Sequence, residues 1–159
     1  MNISHLDEEP AEHRRFAHYL HDLEAADEAD EAGLVAVVLR DQDAAMAESA
    51  VGRHLDRRAA QLLTTPAFTA WAHTMTTVIT ERDFLTRRLR EWGLLRSIAL
   101  GEPWAAEDIT GASDWFQRMA TTTQIISSPD ALRLLSDHGR TRRVRNTARL
   151  RLPQLEEPN

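Results

Sequence analysis

An all-α fold, built from antiparallel helical hairpins, is expected for this chain on three grounds. Apolar residues recur at three- and four-residue intervals through nearly every stretch, the spacing that lines one face of a helix. Thr65-Pro66 and Ser127-Ser128-Pro129-Asp130 are helix starts, with a capping side chain followed by proline in the first turn. Glycine and proline number six each, too few for a many-turned barrel or a phosphate-cradling glycine loop. The length, 159 residues, suits one domain, since domains run from roughly 100 to 200 residues. A single helical domain over 1–159 is expected, with frayed ends at 1–8 and 153–159.

The first helix is expected over residues 9–26, with Pro10 in its first turn and Phe16, Tyr19, Leu20 and Leu23 as its stripe. Residues 24–32 are acidic and alanine-rich, suiting a solvated helix better than a linker. Leu34 to Leu39 is apolar at every position. Its helix-forming neighbours favour a short buried helix over a buried strand. Asp43 is a suitable N-cap for a helix reaching Leu63, with Ala47, Ala50, Val51, Leu55 and Ala59 on its apolar face and Arg53, Arg57 and Gln61 opposite. After the stop at Thr64-Thr65-Pro66, Phe68, Trp71, Met75 and Ile79 mark the next helix. Thr80-Glu81-Arg82-Asp83 is a capping-box variant at which a break is expected.

The clearest amphipathic helix follows. Leu85, Leu89, Trp92, Leu95 and Ala99 form its stripe, Phe84, Leu94 and Ile98 widen it, and Arg87, Arg90 and Glu91 are expected to face away. Gly101-Glu102-Pro103-Trp104 opens a loop to about Ser113. Trp115, Phe116, Met119 and Ile126 suggest a further helix. The next begins at Ser128-Pro129 and ends at Gly139, a suitable C-cap. The last is expected over 141–152, stopped by Pro153. Seven or eight helices result, with no convincing strand.

Composition excludes several chemistries. Cysteine is absent, which removes disulfides, thiolate metal sites and cysteine nucleophiles. All 19 basic residues are arginine, so there is no Schiff-base lysine, no P-loop lysine and no Ser–Lys dyad. Codon bias is the simplest account of a lysine-free chain rich in alanine and arginine. No apolar window is long enough to span a bilayer. The first nine residues carry no secretory pattern, so a cytoplasmic location is expected and membrane association is not.

The formal charge of −6 is unevenly spread. Residues 7–31 hold ten acids against Arg14 and Arg15, whereas residues 138–155 hold six arginines and no acid. Two segments also share a pattern. Val35 to Arg40, a turn at Asp41-Gln42-Asp43, and Ala44 to Ala50 match Leu132 to Ser136, a turn at Asp137-His138-Gly139, and Val144 to Ala148. Each is an apolar helix end, a turn containing aspartate, and a helix with an apolar residue four before an alanine. This resembles the HEAT-repeat helical scaffold family over about a third of the chain. The resemblance implies a short solenoid and a binding scaffold rather than a catalyst. The extended second turn departs from the pattern, and only two units are seen, so an irregular helical bundle stands beside the solenoid.

The leading candidate for function is the C-terminal arginine cluster: Arg140, Arg142, Arg143, Arg145 and Arg149. Arg142, Arg145 and Arg149 share one helical face, and arginine forks grip carboxylates and phosphates in pairs. The plainer alternative is internal pairing with the acids at 27–31. Trp104, in its Gly-Pro loop, either closes one end of the core or anchors an interface. His18, His21 and Asp22 lie close along the first helix and could ligate a metal, though without a recognised zinc signature. His54 is expected to be a hydrogen-bonded core or boundary histidine. A general-base role would need a partner that spacing does not supply. Ser49 near His54 does not make a triad, which is defined by geometry.

The expected function is therefore a non-enzymatic interaction module that binds a protein or acidic peptide through the arginine helix, without a cofactor. A nucleic-acid-associated regulator using the same helix is less favoured, because the net charge is negative. A metal-dependent helical enzyme at the N-terminal histidines is third. Paired helices that expose an apolar edge also suit a homodimer.

Overall fold

The structure, a computed structural model, describes residues 10–156. All regular structure among them is helical: α1 (Ala11–Ala25), α2 (Glu28–Val38), α3 (Ala44–Leu62), α4 (Phe68–Val78), α5 (Asp83–Ala99), α6 (Ala106–Thr110), α7 (Asp114–Thr122), α8 (Pro129–His138) and α9 (Arg142–Glu156). The chain forms two compact units, Met1–Leu89 and Arg90–Asn159, and the division falls within α5. The ends expected to fray at 1–8 and 157–159 lie outside the described residues, whereas 153–156 continue α9.

In the first unit α1 packs on α3 and α2 on α4. Leu23, Val35, Val38, Ala47, Ala50, Val51, Leu55, Ala59, Trp71, Met75, Ile79 and Leu85 are buried. The apolar run from Leu34 is helical, inside α2. Gly33 does not break that helix, and the only interruption of the acidic stretch is at Ala26-Asp27. Asp43 caps α3 as expected, its carboxylate accepting from Met46 N at 3.0 Å. Thr65 does not start the next helix. Its hydroxyl donates to Leu62 O at 2.9 Å, closing the end of α3, and α4 begins at Phe68 without a side-chain cap. In α4, Thr74, Thr76 and Thr77 return their hydroxyls to the carbonyls four residues back.

In the second unit α8 packs on α9, and α7 packs on both. Trp92, Leu95, Ile98, Ile109, Phe116, Ala120, Ile126, Leu132, Leu135, Val144 and Ala148 form its core. Trp92 meets Trp115 edge-on at 5.4 Å. The loop after α5 turns at Gly101, whose φ of 71° suits a residue without a Cβ. It also contains the one-turn α6, which falls below the length at which periodicity can be read.

Three expectations need correction. Glu91 does not face away: it is buried and accepts from Ser113 N at 2.8 Å and Ser113 Oγ at 2.6 Å. Ser113 in turn caps α7 through Phe116 N. Phe84 does not widen the core stripe, being exposed with the Arg88 guanidinium over its ring at 5.2 Å. Pro153 does not stop the last helix but lies inside α9. Proline's φ is already helical, and the bond it forgoes is to the carbonyl of exposed Arg149, where water can substitute. Gly139 ends α8 as expected, but for a different reason. Its φ is −54°, and a Cβ there would sit 2.6 Å from Leu135 O and 2.8 Å from Val144 Cγ1. Close approach between the end of α8 and the start of α9 requires the glycine.

Candidate functional site

The arginines of the C-terminal cluster separate into two groups. Arg140 donates its backbone N–H to Gln117 Oε1 at 2.8 Å and Nη1 to Ala112 O at 3.1 Å, and its Nε lies 3.4 Å from Asp114. Arg145 Nη1 donates to Gly139 O at 2.8 Å. Arg149 reaches Asn146 Oδ1 and Ser136 O, each at 3.2 Å. These three are tied mainly to backbone carbonyls and amide oxygens of their own unit. Arg142 and Arg143 are exposed in the first turn of α9 and have no side-chain partner among the described residues. No acid occupies that turn, so the partial positive charge of the helix N-terminus adds to theirs. Leu150, seven residues beyond Arg143, is 75% exposed.

Among the described residues, the carboxylate beside Arg140 is Asp114, and Glu31 is engaged elsewhere. Trp104 is half-buried in the loop before α6, and its indole makes no hydrogen bond or ring contact among the described residues.

His18 and Asp22 meet at 3.3 Å across one helical turn. His21 does not join them: residues 21 and 22 diverge by about 100° around the helix axis. No group of three or more His, Asp or Glu side chains positioned to hold a metal ion occurs among the described residues.

A second polar centre lies in the first unit, and most of it was not evident from the sequence. His54 is 3% exposed. Its Nε2 lies 2.7 Å from Glu31 Oε2, and its Nδ1 lies 2.9 Å from Arg57 Nη2. A guanidinium nitrogen only donates, so Nδ1 accepts and the ring proton sits on Nε2, donated to Glu31. Arg58 Nε gives the same carboxylate oxygen a second hydrogen bond at 2.8 Å. Burial raises the pKa of Glu31, but the hydrogen bonds from His54 and Arg58 and the charge of Arg58 outweigh it, bringing the carboxyl from 4.5 down to about 2. A polar cleft of about 290 Å³ adjoins the group, bordered by Glu24, Glu28 and Gln61.

His54 is thus the hydrogen-bonded core histidine expected, with its acid now placed on α2. Both ring nitrogens are engaged, so neither offers a lone pair to a substrate proton. Ser49 is exposed and is not a partner of either nitrogen. The available signal was His54, Arg57 and Arg58 at i, i+3 and i+4, which implied an acid facing that side of α3. Which of the many acids it was could not be read.

No protein-family model, curated protein or solved structure matches the chain. No helix among the described residues is long and apolar enough to cross a membrane.

Proposed function

We propose that this chain is a non-enzymatic helical interaction module that binds an acidic segment of a protein partner through α9, in the cytoplasm. The observation that carries this is the exposure of Arg142 and Arg143 without a side-chain partner among the described residues, beside Arg140, Arg145 and Arg149, which grip their own unit's backbone. The gripped arginines fix α9, and the two free forks are left to pair with carboxylates. Half-buried Trp104 is the aromatic candidate for the rim of that surface. The α2–α3 and α8–α9 hairpins are the two HEAT-like units of this reading. The engaged nitrogens of His54 support a binding role over a catalytic one.

The test is fluorescence anisotropy with a labelled glutamate-rich peptide. Arg142→Glu combined with Arg143→Glu is expected to weaken capture at least about tenfold, since each reversed pair costs on the order of 1 kcal/mol. Stability should change by no more than about 0.5 kcal/mol, because both side chains stand in water. Arg145 is left alone in this design, because its removal would also free Gly139 O. Unchanged peptide affinity overturns the proposal. So does tighter capture of duplex DNA than of the peptide, which would favour the nucleic-acid alternative.

A further inference from the structure

The first unit carries an open groove of about 710 Å³ along α1 and α2, lined by Asp22, Ala25, Ala29, Asp30, Leu34 and Val37, among others. Its floor is apolar and small-chained, and Val37 is 51% exposed. Its charged lining is acidic, with Asp30 exposed. The chain also carries a helix face with the opposite charge and the same spacing. Along α2 the groove residues Asp30, Leu34 and Val37 fall at i, i+4 and i+7. Along α9, Arg143, Thr147 and Leu150 fall at i, i+4 and i+7. Each set spans about 10.5 Å of one helical face. Thr147 spends its hydroxyl on Arg143 O at 2.8 Å, so it asks for no polar partner across the contact.

We infer that the groove along α1 and α2 is the docking site for α9 of a second copy of this chain. The two helices run parallel, with Arg143 opposite Asp30, Thr147 over Leu34 and Leu150 against Val37. Arg142 then lies towards the acidic first turn of α2, which contains Glu28, Asp30 and Glu31. Charge sets the direction, because an antiparallel placement would put Arg143 against Val37 and strand both the cation and the acid. The contact is helix-in-groove: an apolar strip supplies burial and an ion pair at one end supplies register. It rests on the reading of α9 as an acid-seeking surface and names this chain's own groove as the acidic partner. Because groove and helix are different patches, each copy offers one donor and one acceptor, and assembly is head-to-tail.

The test is sedimentation velocity of the full chain over roughly 1 to 100 µM at low and high salt, with circular dichroism to confirm helicity. The wild-type chain should associate in a concentration-dependent way, more weakly at high salt. Asp30→Arg alone and Arg143→Glu alone should each weaken association at least about tenfold. Mixing these two variants restores both opposite-charge pairings and should bring association back to within about threefold of wild type. Leu150→Asp should weaken association without being rescued by Arg143→Glu, which alters the same helix face. A wild-type chain that stays monomeric, or an assembly indifferent to all three substitutions, overturns the inference. The anisotropy assay separates the two claims. A monomer that still captures the glutamate-rich peptide leaves the acidic-partner reading standing, and a monomer that captures none ends both.

Discussion

Glu31 in the first unit is a buried carboxylate held by a histidine and a guanidinium, whereas Arg151 in the second is a guanidinium held against carbonyls. Glu31 is met by the neutral ring of His54 and by the fork of Arg58. Arg151 is held by carbonyls instead. It donates to Ala120 O at 3.3 Å, Thr121 O at 3.0 Å and Ile126 O at 2.6 Å, and burial lowers its pKa from the ordinary arginine value. Both arrangements satisfy buried polar groups, but they respond to solution differently. A carboxylate can be titrated away within an accessible pH range, whereas a carbonyl cannot. The acid response carried by Glu31 and Asp41 therefore belongs to the first unit.

Breaking the carboxylate centre should have the largest effect. Glu31→Ala leaves His54 Nε2–H and the Arg58 fork facing a buried site without an acceptor, and is expected to cost about 3–4 kcal/mol in urea unfolding. Replacing Glu31 and His54 together by leucine should recover much of that loss, because the desolvated pair disappears with its penalty. A cost below about 1 kcal/mol for Glu31→Ala would mean that the cleft readily admits water to the pair.

Acid should have nearly the same effect. The Glu31 carboxyl is depressed in the folded protein, from 4.5 to about 2. Its contribution is therefore complete above pH 4.5 and declines as pH falls through about 2, a loss on the order of 3 kcal/mol. Asp41 shifts in the same direction, chiefly through the hydrogen bond from Tyr19. Unfolding free energy measured at pH 6, 4 and 2 in the wild type and in Glu31→Ala checks this. The slope should flatten in the variant, and equal slopes would remove Glu31 as its source.

A smaller loss is expected from the second unit. Arg151→Leu keeps the apolar stem but releases three carbonyls, two of them at the end of α7, and should cost about 2 kcal/mol because nearby water can partly replace the guanidinium. That loss should be the same at pH 6 and pH 2, the range over which the Glu31 contribution falls away. Thermal unfolding of the variant at both values is the measurement.

The two regions were also unequally legible in the sequence. Helix positions followed from periodicity and from capping side chains such as Asp43 and Ser128, because apolar burial and unpaired end amides act locally. The polar residues hardest to place are those whose partners lie far along the chain. Glu91 looked solvated because a carboxylate on a helix usually is, and its partner Ser113 is 22 residues away. Glu31 was one acid in a run of acids, and nothing local marked it as the one that meets His54. Of the expected recognition residues, Arg142 and Arg143 are exposed and unpartnered among the described residues. Arg140, Arg145 and Arg149 proved to be engaged with oxygens that every sequence has, backbone carbonyls, which no composition reveals.

One of those engagements has a dynamic consequence. Arg151 holds carbonyls from the end of α7 and from Ile126 in the following loop with a single planar group. The strip between α7 and α8 therefore cannot breathe by itself. Amide deuterium uptake there should keep pace with uptake along α9, so that the two stretches exchange as one cooperative opening although they lie 25 to 31 residues apart in the chain.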